Sequence, residues 1–150
     1  MSIVNEFRKP GGFEQLLSLL EITDKDRREV ILAKIELEDS GWASLIRAKM
    51  LSAKRISSWS IAIKSQIVLN LDPKPLASLL STSFKSDIDQ LLTAMPEDRA
   101  AKVRIFLKSQ PQGHEVEAAE LELVRVSRQM LSEGKLNIFD IDPTLALNAA

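Results

Sequence analysis

Cysteine is absent from the 150 residues, which excludes disulfides, thiolate metal sites and a cysteine nucleophile and fits a reducing compartment. Histidine occurs once, at His114. No G-x-S-x-G or comparable elbow supplies a serine for it, so a hydrolytic triad has no support and His114 reads as an exposed or capping residue. Glycine is scarce, five in all, and forms no phosphate-cradling loop, which argues against P-loop or dinucleotide chemistry. No run approaches eighteen apolar residues, and the opening MSIVNEFRKPGGF lacks a continuous apolar core. Neither secretion nor membrane insertion is expected, and the cytoplasm is the default location. A dominant charge of one sign is also missing, the net charge being −1.

What remains is 45% apolar and 27% charged residues, the composition of a soluble globular chain. A chain of this length forms one domain or two small ones and buries roughly 68–70% of its unfolded surface. Its most informative feature is an ungapped internal resemblance. Leu16 to Ile35 and Leu76 to Met95 share a helical pattern, with Leu16, Leu19 and Leu20 answering Leu76, Leu79 and Leu80, and Ile31, Leu32 and Ile35 answering Leu91, Leu92 and Met95. Such self-similarity marks stacked helical units that build surfaces for partners.

The periodicity predicts helix after helix and no strand. Phe13, Leu16, Leu17 and Leu20 recur at spacings of three and four, giving a first helix after a short lead. Thr23 with Asp26 is a capping signal for a second helix, to about Leu37. Trp42, Leu45, Ile46 and Met50 mark a third, and Ser57 or Ser58 is expected to cap a fourth through Leu71. Asp72-Pro73 opens a short helix with proline where its missing N–H costs nothing. Ser81 to Ser83 start another through Met95, and Pro96 starts the next. After the Ser109 to Gly113 loop, Val116, Ala119, Leu123, Val126 and Met130 form the seam of a long helix over Glu115 to Glu133, closed by Gly134. Lys135 to Phe139 reads as an extended strap, and Asp140 to Ala150 as a frayed tail.

Asp87, Asp89, Glu97 and Asp98 lie at helix openings, where acidic residues favour the dipole, so they read as capping groups and not as a catalytic pair. Residues 40–71 carry Arg47, Lys49, Lys54, Arg55 and Lys64 and no acid, a charge of +5 against −1 for the whole chain, leaving −6 for the remainder. Trp42 and Trp59 flank this basic stretch, but five cations over so long a span are a weak nucleic-acid footprint. Glu115, Glu117, Glu120 and Glu122 supply an acidic counterpart, and complementary patches suit protein partners or self-association. No enzyme, cofactor, metal site or nucleic-acid partner is expected.

The order of these elements resembles the C-terminal domain of the flagellar motor switch protein FliG. The resemblance rests on LIRAKM ending at Met50, on Met95-Pro96-Glu97-Asp98-Arg99-Ala100-Ala101, and on EVEAAELELVRVSRQMLSEGKLNIF from Glu115 to Phe139. It implies an all-α protein with an armadillo-like helical stack over 13–50, following a lead over 1–12, then a helical subdomain over 51–139 and a flexible tail over 140–150. It further implies a hinge at Met50, Leu51, Ser52 and Ala53, and a role in the cytoplasmic rotor, at the cytoplasmic face of the flagellar basal body, with rotor or switch components as protein partners. A length of 150 residues leaves no room for the family's N-terminal and middle domains. The family's charged torque positions are mostly replaced: its lysine falls on Ser81, its Asp-Asp pair among Ile105, Phe106 and Leu107, and one arginine near Gln112. Arg99 survives and, with Lys102 and Arg104, is expected to form an exposed basic face for an acidic partner. The alternative is an adaptor that uses the same fold in a nonflagellar assembly. Far-UV circular dichroism should be dominated by helix, and a spectrum dominated by strand would overturn both the architecture and the resemblance.

Overall fold

In the computed structural model, residues 2–147 are described, and among them the regular structure is entirely helical. The helices are α1 (Ile3–Glu6), α2 (Gly12–Glu21), α3 (Lys25–Glu38), α4 (Ser40–Lys49), α5 (Ala53–Ser57), α6 (Ile61–Val68), α7 (Pro73–Leu80), α8 (Ile88–Thr93), α9 (Glu97–Leu107), α10 (Gly113–Ser132) and α11 (Ile138–Ile141). Short 3-10 turns occur at Lys85–Asp87 and Pro143–Leu145. The all-α expectation holds. The chain divides into two units, residues 2–51 with 138–147, and residues 52–137.

In the first unit, the three-four spacing of α2 turns Leu16, Leu17 and Leu20 onto Leu32 and Ile35 of α3 and onto Ala43 and Ile46 of α4. The lead also contributes to this core, because Val4 of α1 is buried and α1 packs on α3. Glu38 fixes that contact. Its carboxylate accepts from the backbone N–H groups of Ile3 and Val4, each at 3.2 Å, and from the Ser2 hydroxyl, satisfying donors that a helix start leaves open. Gly12 has to be glycine, since a Cβ there would lie 1.8 Å from the Phe7 carbonyl oxygen.

The cap of α3 is Asp24, whose Oδ1 accepts from the Arg27 N–H at 3.1 Å. Thr23 instead closes α2 by donating to the Leu19 carbonyl at 2.6 Å. The expected frayed tail is corrected too. Thr144 and its cap Asp142 form a turn in which the Asp142 carboxylate accepts from the Thr144 N–H at 3.1 Å, and Lys49 donates to the Thr144 carbonyl at 2.6 Å. Leu145 and Ala146 are buried. The part of the tail call that covers 148–150 lies outside the described residues.

The second unit is organised by α7, against which both α9 and α10 pack. Leu76, Leu79 and Leu80 are fully buried there. Asp72 and Pro73 open α7 as expected, whereas Ser57 and Ser58 close α5 through hydroxyl bonds to Lys54 and Arg55 carbonyls, and Ser60 is the cap of α6. The expected continuous helix from Ser81 through Met95 is broken: Phe84 drops into the core, a 3-10 turn follows, and α8 has only six residues. The two copies of the internal pattern therefore fall in different units and build different local structures. α10 begins at Gly113, two residues before the expected start, and its twenty residues span about 30 Å. Gly134, at φ 74°, ends it, with its own N–H bonded to the Leu131 carbonyl at 3.2 Å and that of Lys135 to Met130 at 2.9 Å, the paired closure that a left-handed residue permits.

Phe84→Ala should lower unfolding stability by about 3–5 kcal/mol, because it empties a fully enclosed site. Leu37→Ala, at a side chain 90% exposed, should change it by less than about 0.5 kcal/mol. Urea titration of the two variants tests the contrast.

Candidate partner-binding surface

α9 starts at Pro96, which has no helical donor to lose, and places Glu97 and Asp98 in its first turn, where the dipole favours them. Ala100 and Val103 are buried and set the inner face. The outer face follows from that. Lys102, Ile105, Phe106 and Lys108 are exposed, with Ile105 at 63% and Phe106 at 41% of full accessibility.

The three expected contact cations fare differently. Lys102 is exposed as anticipated. Arg104 is exposed but reaches back seven residues to Glu97, at 3.0 Å. Arg99 is not an exposed charge: it is half-buried, and its Nη2 donates to the Val68 carbonyl at 3.0 Å. Val68 ends α6, where its carbonyl also accepts from the Leu71 N–H at 3.2 Å, so the guanidinium adds a second, charge-assisted bond at the negative end of the helix dipole. Arg99 thus ties α9 to α6.

The family's remaining charged positions are also placed. Ser81 caps the end of α7 and donates to the Ala77 carbonyl at 3.0 Å. Gln112 precedes α10, its N–H donating to the Glu115 carboxylate at 3.2 Å. Leu107 is half-buried. Ile105 and Phe106 alone of the replaced positions offer large exposed side chains, and they offer hydrocarbon where charge was expected.

Within each unit, cations of the basic stretch over 40–71 have partners of their own. Arg47 pairs with Glu29 at 3.1 Å and its hydrogen bond holds that carboxyl below the usual range, while Lys49 serves the Thr144 carbonyl. Lys64 is buried, donating to the Ser57 carbonyl at 2.8 Å and to Asp87, with its ammonium 5.7 Å from the centre of the Phe84 ring. The tryptophans are likewise structural. Trp42 meets Phe13 edge-on at 5.6 Å between ring centres, and Trp59 is buried. The acidic run of α10 is partly occupied: Lys74 lies 3.7 Å from Glu115, and Arg125 hydrogen-bonds Glu122, holding its carboxyl below the usual range.

At the expected hinge, α4 ends at Lys49 and α5 begins at Ala53. Leu51 is buried and its N–H donates to the Glu21 carboxylate at 2.6 Å. Glu21 was missed in the sequence; a single carboxylate thirty residues from its partner leaves no local signal. His114 is exposed in the first turn of α10. No group of three or more metal-ligating side chains forms among the described residues, and no helix there is long and apolar enough to cross a membrane.

These features define an all-α domain whose accessible chemistry is suited to contacts with other proteins. The family model described as "FliG C-terminal domain" matches residues 33–138. The chain is 32% identical over 140 residues to the "Flagellar motor switch protein FliG" of Aquifex aeolicus (strain VF5), an alignment covering 90% of this chain and 42% of that relative. It therefore belongs to the FliG C-terminal domain family and spans about two-fifths of the length of the curated relative it matches. No solved structure matches.

Arg99→Glu places a carboxylate against the Val68 carbonyl and removes a charge-assisted bond, and should lower stability by about 2–4 kcal/mol. Lys102→Glu should leave the melting temperature within about 2 °C of the parent. Equal melting temperatures for the two variants would show that Arg99 does no structural work.

Proposed function

We propose that this chain is a flagellar motor switch component that acts through protein contacts at the rotor and performs no catalysis. The observation that supports this best is the family match over residues 33–138 together with 32% identity to a flagellar motor switch protein. On this reading the chain resides in the cytoplasm, at the cytoplasmic face of the flagellar basal body, and its partners are rotor or switch components, other copies of itself included. Met50, Leu51, Ser52 and Ala53 serve as the hinge; the reading is supported by the extended backbones of Met50 and Ser52, at ψ 134° and 159°, where one helix has ended and the next has not begun. Lys102 and Arg104 contribute contacts from α9, and Arg99 acts beneath them by holding that helix in place.

The same reading limits how the rotor contact works. Charge pairing steers encounters and fixes their register, yet of the positions that match the family's charges Arg99 alone keeps one, while Ser81, Gln112 and the Ile105, Phe106 and Leu107 stretch on which the acidic pair falls are uncharged. The chain therefore takes part in the motor with the family's torque charges largely lost. Grafting Met95 through Gly113 into the same place in the Aquifex aeolicus relative provides the test, in a cell that depends on that protein for rotation. The expected outcome is a motor that assembles but rotates weakly or not at all. Failure of the full chain to associate with purified rotor components of its own organism would overturn the rotor assignment; normal rotation of the chimera would overturn the loss of torque charges.

A further inference from the structure

The outer face of α9 combines two features that folding alone does not explain. Ile105 and Phe106 are both exposed, and Phe106 forms one wall of a shallow cavity of about 260 Å³ whose other lining includes Lys74, Ala77, Ser78, Pro111 and Glu115. Positive charge exceeds negative around them. Residues 99–114 hold Arg99, Lys102, Arg104 and Lys108 and no carboxylate. Arg99 is committed to the Val68 carbonyl and Arg104 to Glu97. Lys102 and Lys108 are exposed and lie in no ion pair among the described residues, and Lys74, with a side chain 65% exposed, is held to Glu115 only at 3.7 Å.

We propose that this face binds an acidic amphipathic helix of a partner protein, an inference that rests on reading α9 as a partner surface but not on the rotor assignment. An apolar side chain of that helix fills the cavity beside Phe106, a second covers Ile105, and carboxylates on either side meet Lys102 and Lys108. Lys102 and Lys108, the residue that closes α9, are about 9 Å apart along the axis and about 120° apart around it, so they stand on opposite sides of Ile105 and the complementary carboxylates lie on either side of the partner helix's apolar stripe. Asp98, exposed in the first turn of α9, repels a partner carboxylate and marks the border of the site at that end. The flanking acids also set the partner's class: Glu97, Asp98 and Glu117 are exposed nearby in sequence and oppose a broad anionic surface such as a membrane, whereas a narrow helix avoids them.

The experiment is selection of displayed random peptides, about sixteen residues long so that each can form four helical turns, on the immobilised full chain. Enriched peptides should carry net negative charge with large apolar residues spaced by three and four. The best of them, labelled and titrated by fluorescence anisotropy, should bind at least about tenfold more weakly to Phe106→Ser and to the Lys102→Glu, Lys108→Glu double variant, and within about twofold of normal to Lys25→Ala, an exposed cation on α3. Affinity should also fall as salt rises. Ile105→Lys serves as a second apolar-site variant, and circular dichroism verifies that each variant is folded. The proposal is overturned by an absence of enrichment, by neutral or basic winners, or by winners that bind Phe106→Ser as well as the parent. It is equally overturned if Phe106 instead governs self-association in sedimentation or binding to phosphatidylserine vesicles. None of these outcomes bears on assembly of the chimera in the motor, so the two readings fail separately.

Discussion

The second unit depends on the burial of α7. Eight residues long, it is enclosed by α9 on one side and α10 on the other, and five of its side chains are buried. Burying three leucines contributes about 1.5–3 kcal/mol each before entropy is counted. The geometric consequence matters more than the sum. Once Ala100 and Val103 must face α7, the helical period fixes Ile105 and Phe106 outward, and no local rearrangement turns them in without exposing the buried side chains. Arg99 adds a second constraint of a different kind, by bonding the end of α6. The outer face of α9 is thus a rigid surface set by two independent anchors.

Buried charge supports the same unit from below. Lys64 reaches Asp87 and the Ser57 carbonyl inside the protein and lies near the Phe84 ring. A buried ion pair of this kind is weak evidence for net stability, because desolvation offsets much of the attraction. Its effect is on specificity: an ammonium with two oxygen partners accepts one position for the 3-10 turn at Lys85–Asp87, and that turn carries Phe84 into the core. The break in the helix that a continuous Leu-rich pattern suggested thus coincides with the Lys64–Asp87 contact and the burial of Phe84.

Which features were legible follows from how local their causes are. The apolar stripes of α2, α4 and α10, the Asp72-Pro73 start and the Gly134 stop all depend on residues within one or two turns, and they were readable as such. Thr23 and Asp24 are adjacent residues of equal capping competence, so only the observed bonds separate their roles. Arg99 looked like an exposed cation because its partner is a backbone carbonyl thirty-one residues away, which has no sequence signature. Lys64 was counted in a basic stretch for a similar reason. The packed turn near Leu145 was missed because a few apolar residues after a polar run show no period. For α9 the cations of 99–114 were readable as residues, but not that Arg99 and Arg104 already have partners.

The correction changes the physics expected of that face. Three arginine and lysine charges in a row would give an encounter dominated by long-range attraction and strongly screened at about 8 Å in physiological salt. With Arg99 committed to the fold and Arg104 paired, less free charge remains, and the exposed hydrocarbon of Ile105 and Phe106 becomes the larger source of contact energy at roughly 25 cal/mol per Å² covered. On the proposed reading, charge at Lys102 and Lys108 selects and orients a partner, while apolar contact holds it. A face of this composition slows dissociation more than it speeds arrival. Brief, charge-steered encounters with a moving partner call for the opposite balance, which is why the outer face of α9 is better matched to a seated partner than to transient pushing.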